Sequence, residues 1–175
     1  MNGMAERAEA FARKAHHGQF RKWTGQAFIE HPRRVAEAVS NYPGATREMV
    51  AAAWLHDTIE DCDTTVVDLA NEFGHVVALY VGYLTNYFTN DRFPDLNRAQ
   101  RKEKEVERLR GAPRAAKVIK LIDRIDNVTD MAGATPEFRE IYAAESQKLA
   151  LAIGDADSRL QENLMTYSRI LLESK

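Results

Sequence analysis

The stretch Ala115-Ala-Lys-Val118-Ile-Lys-Leu-Ile122-Asp-Arg-Ile125 decides the fold class. Its central run, Val118 to Ile122, taken by itself has the content of a buried strand. Over the longer window Ala115, Val118, Ile119, Ile122 and Ile125 recur at the spacing of one helical face. The segment from Pro113 to about Met131 therefore reads as helix, and strand signals are scarce elsewhere. Outward from it, Gly and Pro fall between apolar-periodic segments, as helix punctuation does. The spacing predicts a first helix over Met4 to His17, stopped by Gly18, then a loop from Gln19 to Glu30. A second helix holds Pro32 in its first turn and ends at Pro43-Gly44, and Thr46 caps a third that runs to about Asp61. Thr65 and Asp68 form a capping-box pattern for a fourth, closed by Gly74. The segment His75 to Asn86 is apolar on several faces and is expected to be central. A connection from Tyr87 to Leu96 leads to a charged helix from Asn97 to Arg110. Beyond the central stretch, helices run from Thr135-Pro136 to Gly154 and from Ser158 to Glu173. No repeat, low-complexity tract or linker divides residues 1-175, so the expectation is an all-α, single-domain helical bundle.

Composition excludes several classes. The 175 residues carry 24 Lys and Arg against 26 Asp and Glu, a formal net charge of -2, which gives no overall pull towards nucleic acid or membrane. No apolar run approaches the ~20 residues of a membrane span. Met1 to His17 lacks the apolar stretch of a secretory signal. Cys62 is the single cysteine, too few for an internal disulfide or a thiolate zinc cage, and a reducing cytoplasm is the expected setting.

Function must then come from polar residues in apolar company. In Ala51-Ala-Ala-Trp-Leu-His56-Asp57-Thr-Ile-Glu60-Asp61, five apolar residues lead into a histidine and three acids. On a helix Asp57, Glu60 and Asp61 stand at i, i+3 and i+4 and share a face, an arrangement that costs roughly 0.2–0.5 kcal/mol per like-charged pair before desolvation. A bound cation would reverse that sign. Asp123 sits on the apolar helix quoted above with Asn127 one turn on, and His31 precedes Pro32 at a helix start. Each has an ordinary explanation alone: a helix end meeting solvent, an ion pair with Lys120 or Arg124, an N-terminal imidazole. Together His31, His56, Asp57 and Asp123 make a mixed nitrogen and oxygen set suited to Mn²⁺, Fe²⁺ or Zn²⁺. Water on such an ion becomes a nucleophile near neutral pH, and Glu60 and Asp61 are spaced to take its proton or orient it.

Four stretches make the chain recognisable: Ala15-His-His-Gly-Gln-Phe-Arg-Lys22, Phe28-Ile-Glu-His31-Pro32, Leu55-His-Asp-Thr-Ile-Glu-Asp61 and Ile119-Lys-Leu-Ile-Asp-Arg-Ile-Asp-Asn127. Together they resemble the HD-domain phosphohydrolases, and within them the small alarmone hydrolases. The resemblance implies an HD-type all-α fold with one Mn²⁺ on His31, His56, Asp57 and Asp123. It implies hydrolysis of the 3′-pyrophosphate of (p)ppGpp to GDP or GTP and pyrophosphate. Glu60 and Asp61 match the water-activating acids, Arg21 and Lys22 the basic nucleotide-holding loop, and Asn127 a nucleotide contact near the metal. The implied partner is a small-molecule nucleotide, with no nucleic acid and no membrane, and a homo-oligomer is compatible with it. With no synthetase segment in these residues, a hydrolase alone is expected.

Two positions depart from the family pattern: Asp126 stands where relatives often carry His, and Ile122 where Ala is usual. Asp126 adds negative charge near a polyanionic substrate. Two other readings fit the same residues: a phosphohydrolase on another nucleotide (an NADPH 2′-phosphatase or 5′-nucleotidase), and a non-catalytic nucleotide sensor. Trp23 either stacks on a base or covers its loop. The segment Arg98 to Lys120 holds nine Lys and Arg against three Glu. The interleaving of Glu103, Glu105 and Glu107 favours a solvated, salt-bridged face there over a binding surface. Tyr142 and Glu145 are noted as a candidate cleft-lining pair without an assigned role.

Overall fold

The computed structural model describes residues 3–173, and their contacts divide at Thr85 into two compact units. The first holds α1 (Met4–Ala15), α2 (Glu30–Ser40), α3 (Arg47–Leu55), α4 (Thr58–Asp61), α5 (Val66–Phe73) and α6 (His75–Leu84). The second holds α7 (Arg98–Arg110), α8 (Arg114–Thr129), α9 (Pro136–Ile153) and α10 (Ser158–Glu173), with single 3-10 turns after α8 and α9. Among the described residues there is no β-strand, only an isolated bridge between Phe20 and Ala27. The all-α expectation holds, and the helical period of the Ala115–Ile125 stretch is the period of α8.

Capping residues start the helices where their chemistry directs. The Thr46 hydroxyl accepts from the Met49 amide, Thr65 and Asp68 form a reciprocal capping box, and Thr135 accepts from the Phe138 amide. Asn97 and Gln100 form a second capping box at the start of α7.

The second helix begins at Glu30, so Pro32 lies in its first turn, and His31 with it. Two expectations change. The expected third helix is broken at His56-Asp57 into α3 and the one-turn α4. Side chains take the carbonyls at the break: His56 Nδ1 lies 2.8 Å from Ala53 O, and the Thr58 hydroxyl donates to Leu55 O at 2.7 Å. Carbonyls occupied in this way no longer need amides from a following turn. The second change is α6, which buries one stripe, Val77, Ala78, Val81 and Leu84, while Val76 and Leu79 are about half exposed. Its main packing partners are α3 and α5.

The first unit is organised on α3, against which α1, α2 and α6 all pack. Ala51, Ala52 and Ala53 are fully buried, and side chains that small let three helices approach one axis. The chain leaves this core at His56. In the second unit, α8, α9 and α10 enclose Val118, Ile119, Leu121, Leu149, Ile153 and Leu164.

Glu105 corrects the expectation of a solvated acidic row on α7. Glu103 and Glu107 are exposed, but Glu105 is buried, accepts from the Tyr87 and Phe88 amides at 2.9 and 3.2 Å, and pairs with Arg108. It thereby ties the connection before α7, with its Tyr87, Phe88 and Phe93 ring cluster, onto the helix. Glu105→Ala should cost about 3 kcal/mol in urea unfolding, because two amides and a guanidinium lose their acceptor. Glu107→Ala should stay within ~0.5 kcal/mol.

Candidate metal centre

His31, in the first turn of α2, and His56, at the end of α3, are both buried and bring their Nε2 atoms to 3.1 Å. Asp57 Oδ2 stands 3.5 Å from His31 Nε2 and 3.2 Å from His56 Nε2. A carbonyl can only accept, so the Ala53 contact requires His56 Nδ1 to carry the proton and leaves Nε2 as a lone pair facing the other two donors. The triangle's edges are those of three ligands about 2.0–2.2 Å from a common centre. Its two imidazole nitrogens and one carboxylate oxygen suit a divalent first-row ion. The donors therefore fit a divalent metal.

Asp57 precedes α4, and its carbonyl accepts from the Asp61 amide at 3.0 Å. Glu60 and Asp61 are presented by α4 at the surface, with the Asp61 carboxyl partly screened from solvent by its surroundings. Desolvation, then the charges of Asp57 and Glu60, push the Asp61 carboxyl up to about 6, while His56 and Arg21 act in the opposite direction. A cleft of about 420 Å³ is lined by Ala15, Gln19, Glu60, Asp61, Cys62 and Asp63.

Arg21 and Lys22 stand on a short hairpin. The Arg21 amide donates to Gln26 O at 2.8 Å, the Phe28 amide donates to Gln19 O at 2.9 Å, and Gly25 at φ +69° makes the turn. The Arg21 guanidinium lies 5.5 Å from the Phe28 ring centre, and its charge reaches Asp61. Lys22 Nζ lies 4.4 Å over the Trp23 indole, so one face of that ring is covered by its neighbour.

In the second unit Asp123 is 3% exposed on α8. Its Oδ1 accepts from the Asn127 amide at 2.6 Å, and its Oδ2 lies 2.9 Å from Lys120 Nζ. Asn127 thus orients Asp123 directly. Around them stands a basic group to which sequence reasoning assigned no role. Arg124 lies 4.1 Å from the Tyr142 ring centre and 3.8 Å from Glu145, and Arg98 holds Glu145 with two nitrogens at 2.8 and 3.0 Å. Burial works against the charge of Arg124, but Tyr142, Glu145 and Asp123 outweigh it and raise its pKa. The Nε of Arg124 is buried without a hydrogen-bond partner. Lys102 has its pKa lowered by burial first and then by the charges of Arg124 and Lys120. The alternation of Lys, Arg and Glu along α7 carried no signal of this, because the half-buried Lys102 has the same type as its exposed neighbour Lys104.

The chain belongs to the HD domain family, whose sequence profile matches residues 8–150. Among its relatives is the guanosine-3′,5′-bis(diphosphate) 3′-pyrophosphohydrolase MESH1 of Danio rerio, 37% identical over 129 residues, 73% of this chain and 68% of that protein. The Homo sapiens protein of the same name is 36% identical over 132 residues, 74% of this chain and 70% of its own. A solved structure of a metazoan SpoT ortholog, described as hydrolysing ppGpp, superimposes with a TM-score of 0.83 at 24% identity. It covers 97% of this chain and 96% of its own, which establishes a shared fold.

Two measurements check the site. Mn²⁺ at a hundred times its Kd should stabilise the folded chain by about 2.7 kcal/mol, reversed by EDTA. His31→Ala and Asp57→Asn should abolish that gain. In the metal-free protein, the folded Asp61 holds its proton up to about 6 against an ordinary value of 3.8. Its unfavourable contribution therefore grows as pH rises through that window. Asp61→Asn should raise the thermal midpoint at pH 7 and leave it unchanged near pH 3.

Proposed function

We propose that this chain is a divalent-metal phosphohydrolase that removes the 3′-pyrophosphate of (p)ppGpp, giving GDP or GTP and pyrophosphate. The triangle of His31, His56 and Asp57 donors carries the reaction class. The substrate follows from relatives at 36–37% identity that are named for this activity. Residues 1-175 act as one HD domain, in keeping with a family match that runs from 8 to 150 across both units. The ion in this reading would be Mn²⁺, held by His31, His56 and Asp57, and the family resemblance would make Asp123, which Asn127 orients, a fourth ligand. When bound, the ion supplies Lewis acidity to the phosphoryl oxygens and to the attacking water.

The protein's own groups supply the rest. Asp61 accepts the proton of the attacking water, and Glu60 orients that water. Attack at the phosphorus next to the 3′ oxygen breaks that P–O bond, leaving a 3′ hydroxyl and releasing pyrophosphate. Arg21 and Lys22 hold the nucleotide, one by guanidinium stacking or bidentate contact and the other as a point charge. Asn127 contacts the nucleotide beside the metal. Lys102, Lys120 and Arg124 give the second unit a positive lining for phosphate, and the unpartnered Nε–H of Arg124 is a donor for a phosphate oxygen. No described helix is long and apolar enough to cross a membrane. The setting proposed is the cytoplasm, with a small nucleotide as partner and neither nucleic acid nor membrane.

Purified protein with Mn²⁺ should release pyrophosphate from ppGpp. Release of orthophosphate from other nucleotides instead would move the activity to the wider phosphohydrolase class. Glu60→Gln should lower turnover about a hundredfold or more while nucleotide binding persists.

A further inference from the structure

Behind the Glu60–Asp61 turn lies a chain of polar contacts that the reaction above does not use. His16 is 2% exposed, stacked on Phe28 with ring centres 4.6 Å apart, and its Nδ1 lies 2.8 Å from Gln19 Oε1. Gln19 Nε2 donates to the main-chain carbonyl of Asp61 at 2.8 Å. Since that amide nitrogen is the donor, Oε1 is the acceptor and the proton of His16 sits on Nδ1. His16 Nε2 is left as a buried acceptor without a partner. A phenyl ring would fill the same space without that cost, so the feature that distinguishes imidazole here is its Nδ1–H.

The receiving end needs such support. α4 has four residues and is followed by Cys62 in extended conformation, so the Asp61 carbonyl is one of the orphan groups of a helix end. A single helical turn has little stability of its own. Cys62 Sγ adds contacts at 3.4 Å to Ala15 O and 3.5 Å to His16 Nδ1, which join the end of α4 to the end of α1.

We propose that His16 and Gln19 are positioning residues that hold the Glu60–Asp61 turn beside the His31/His56/Asp57 triangle. They act through the Asp61 carbonyl, leaving its carboxylate available for proton transfer. The proposal rests on the hydrolase reading for its kinetic consequence and on the hydrogen bonds for its structural one.

The full chain is assayed with Mn²⁺ and ppGpp, and amide hydrogen exchange is followed over residues 58–63. In Gln19→Ala, kcat should fall ~10–100-fold with KM and Mn²⁺ affinity within about threefold, and exchange over 58–63 should rise. Gln19→Glu keeps the acceptor for His16 but loses the donor to Asp61; it should behave like Gln19→Ala and serves if that variant does not fold. His16→Phe keeps the ring stack and loses the Nδ1–H, and His16→Asn, which returns an amide N–H near that position, should recover part of the loss. Unchanged exchange over 58–63, or an active wild type with kcat unaltered in Gln19→Ala and His16→Phe, overturns the proposal. A kcat loss matched by an equal loss of Mn²⁺ affinity also overturns it, because the strut would then serve the triangle and not the turn. A wild type without turnover removes the substrate reading alone, and the exchange result then decides the strut.

Discussion

The hydrogen bond from His56 Nδ1 to the Ala53 carbonyl does three things at once. It takes a carbonyl that the next helical turn would otherwise use, so α3 ends at Leu55. It fixes the tautomer, so Nε2 carries a lone pair. It also stands beside Asp57, whose carboxylate meets the histidines while Glu60 and Asp61 continue on α4. The bond forms where it does because the Ala51–Leu55 end of α3 is buried, with three helices packed against α3, and its last turn ends away from water. Core packing and ligand chemistry meet at this one donor and acceptor.

In the second unit the governing constraint is the burial of charge. Glu105 replaces solvent for two amides, and Glu145 neutralises part of Arg98 and Arg124. Asp123 is shared between Asn127 and Lys120. Each carboxylate has named partners, whereas the cations exceed the acids that face them. That excess is local: the chain as a whole carries a net charge of only -2.

Much of this was legible in the residues. Helix class and most boundaries follow from apolar spacing, glycines and caps, because those signals are local. The donor set at His31, His56 and Asp57 was readable as polar residues in apolar surroundings, and Asp123 likewise. The break at His56 was not, since it depends on two side chains finding carbonyls one turn back, which spacing does not encode. The half-exposure of α6 was not either: Val76 and Leu79 look like core until it is known that the helix packs chiefly on α3 and α5 and leaves them half exposed. Glu105 and Lys102 were hidden for the opposite reason. In a helix alternating Lys, Arg and Glu, burial is assigned by tertiary neighbours and leaves no mark on composition.

The pairing of Arg124 with Tyr142 and Glu145 has a consequence of its own. A guanidinium remains charged across the range in which proteins fold, and here its contacts raise its pKa further. Lys102, close enough to feel it, is pushed the other way. The two cations therefore differ in kind, one permanent and one that alkali can discharge. As the medium turns basic, the attraction of this region for an anion drops to a floor set by Arg124, and the region keeps a residual hold on phosphate after its lysine has gone neutral.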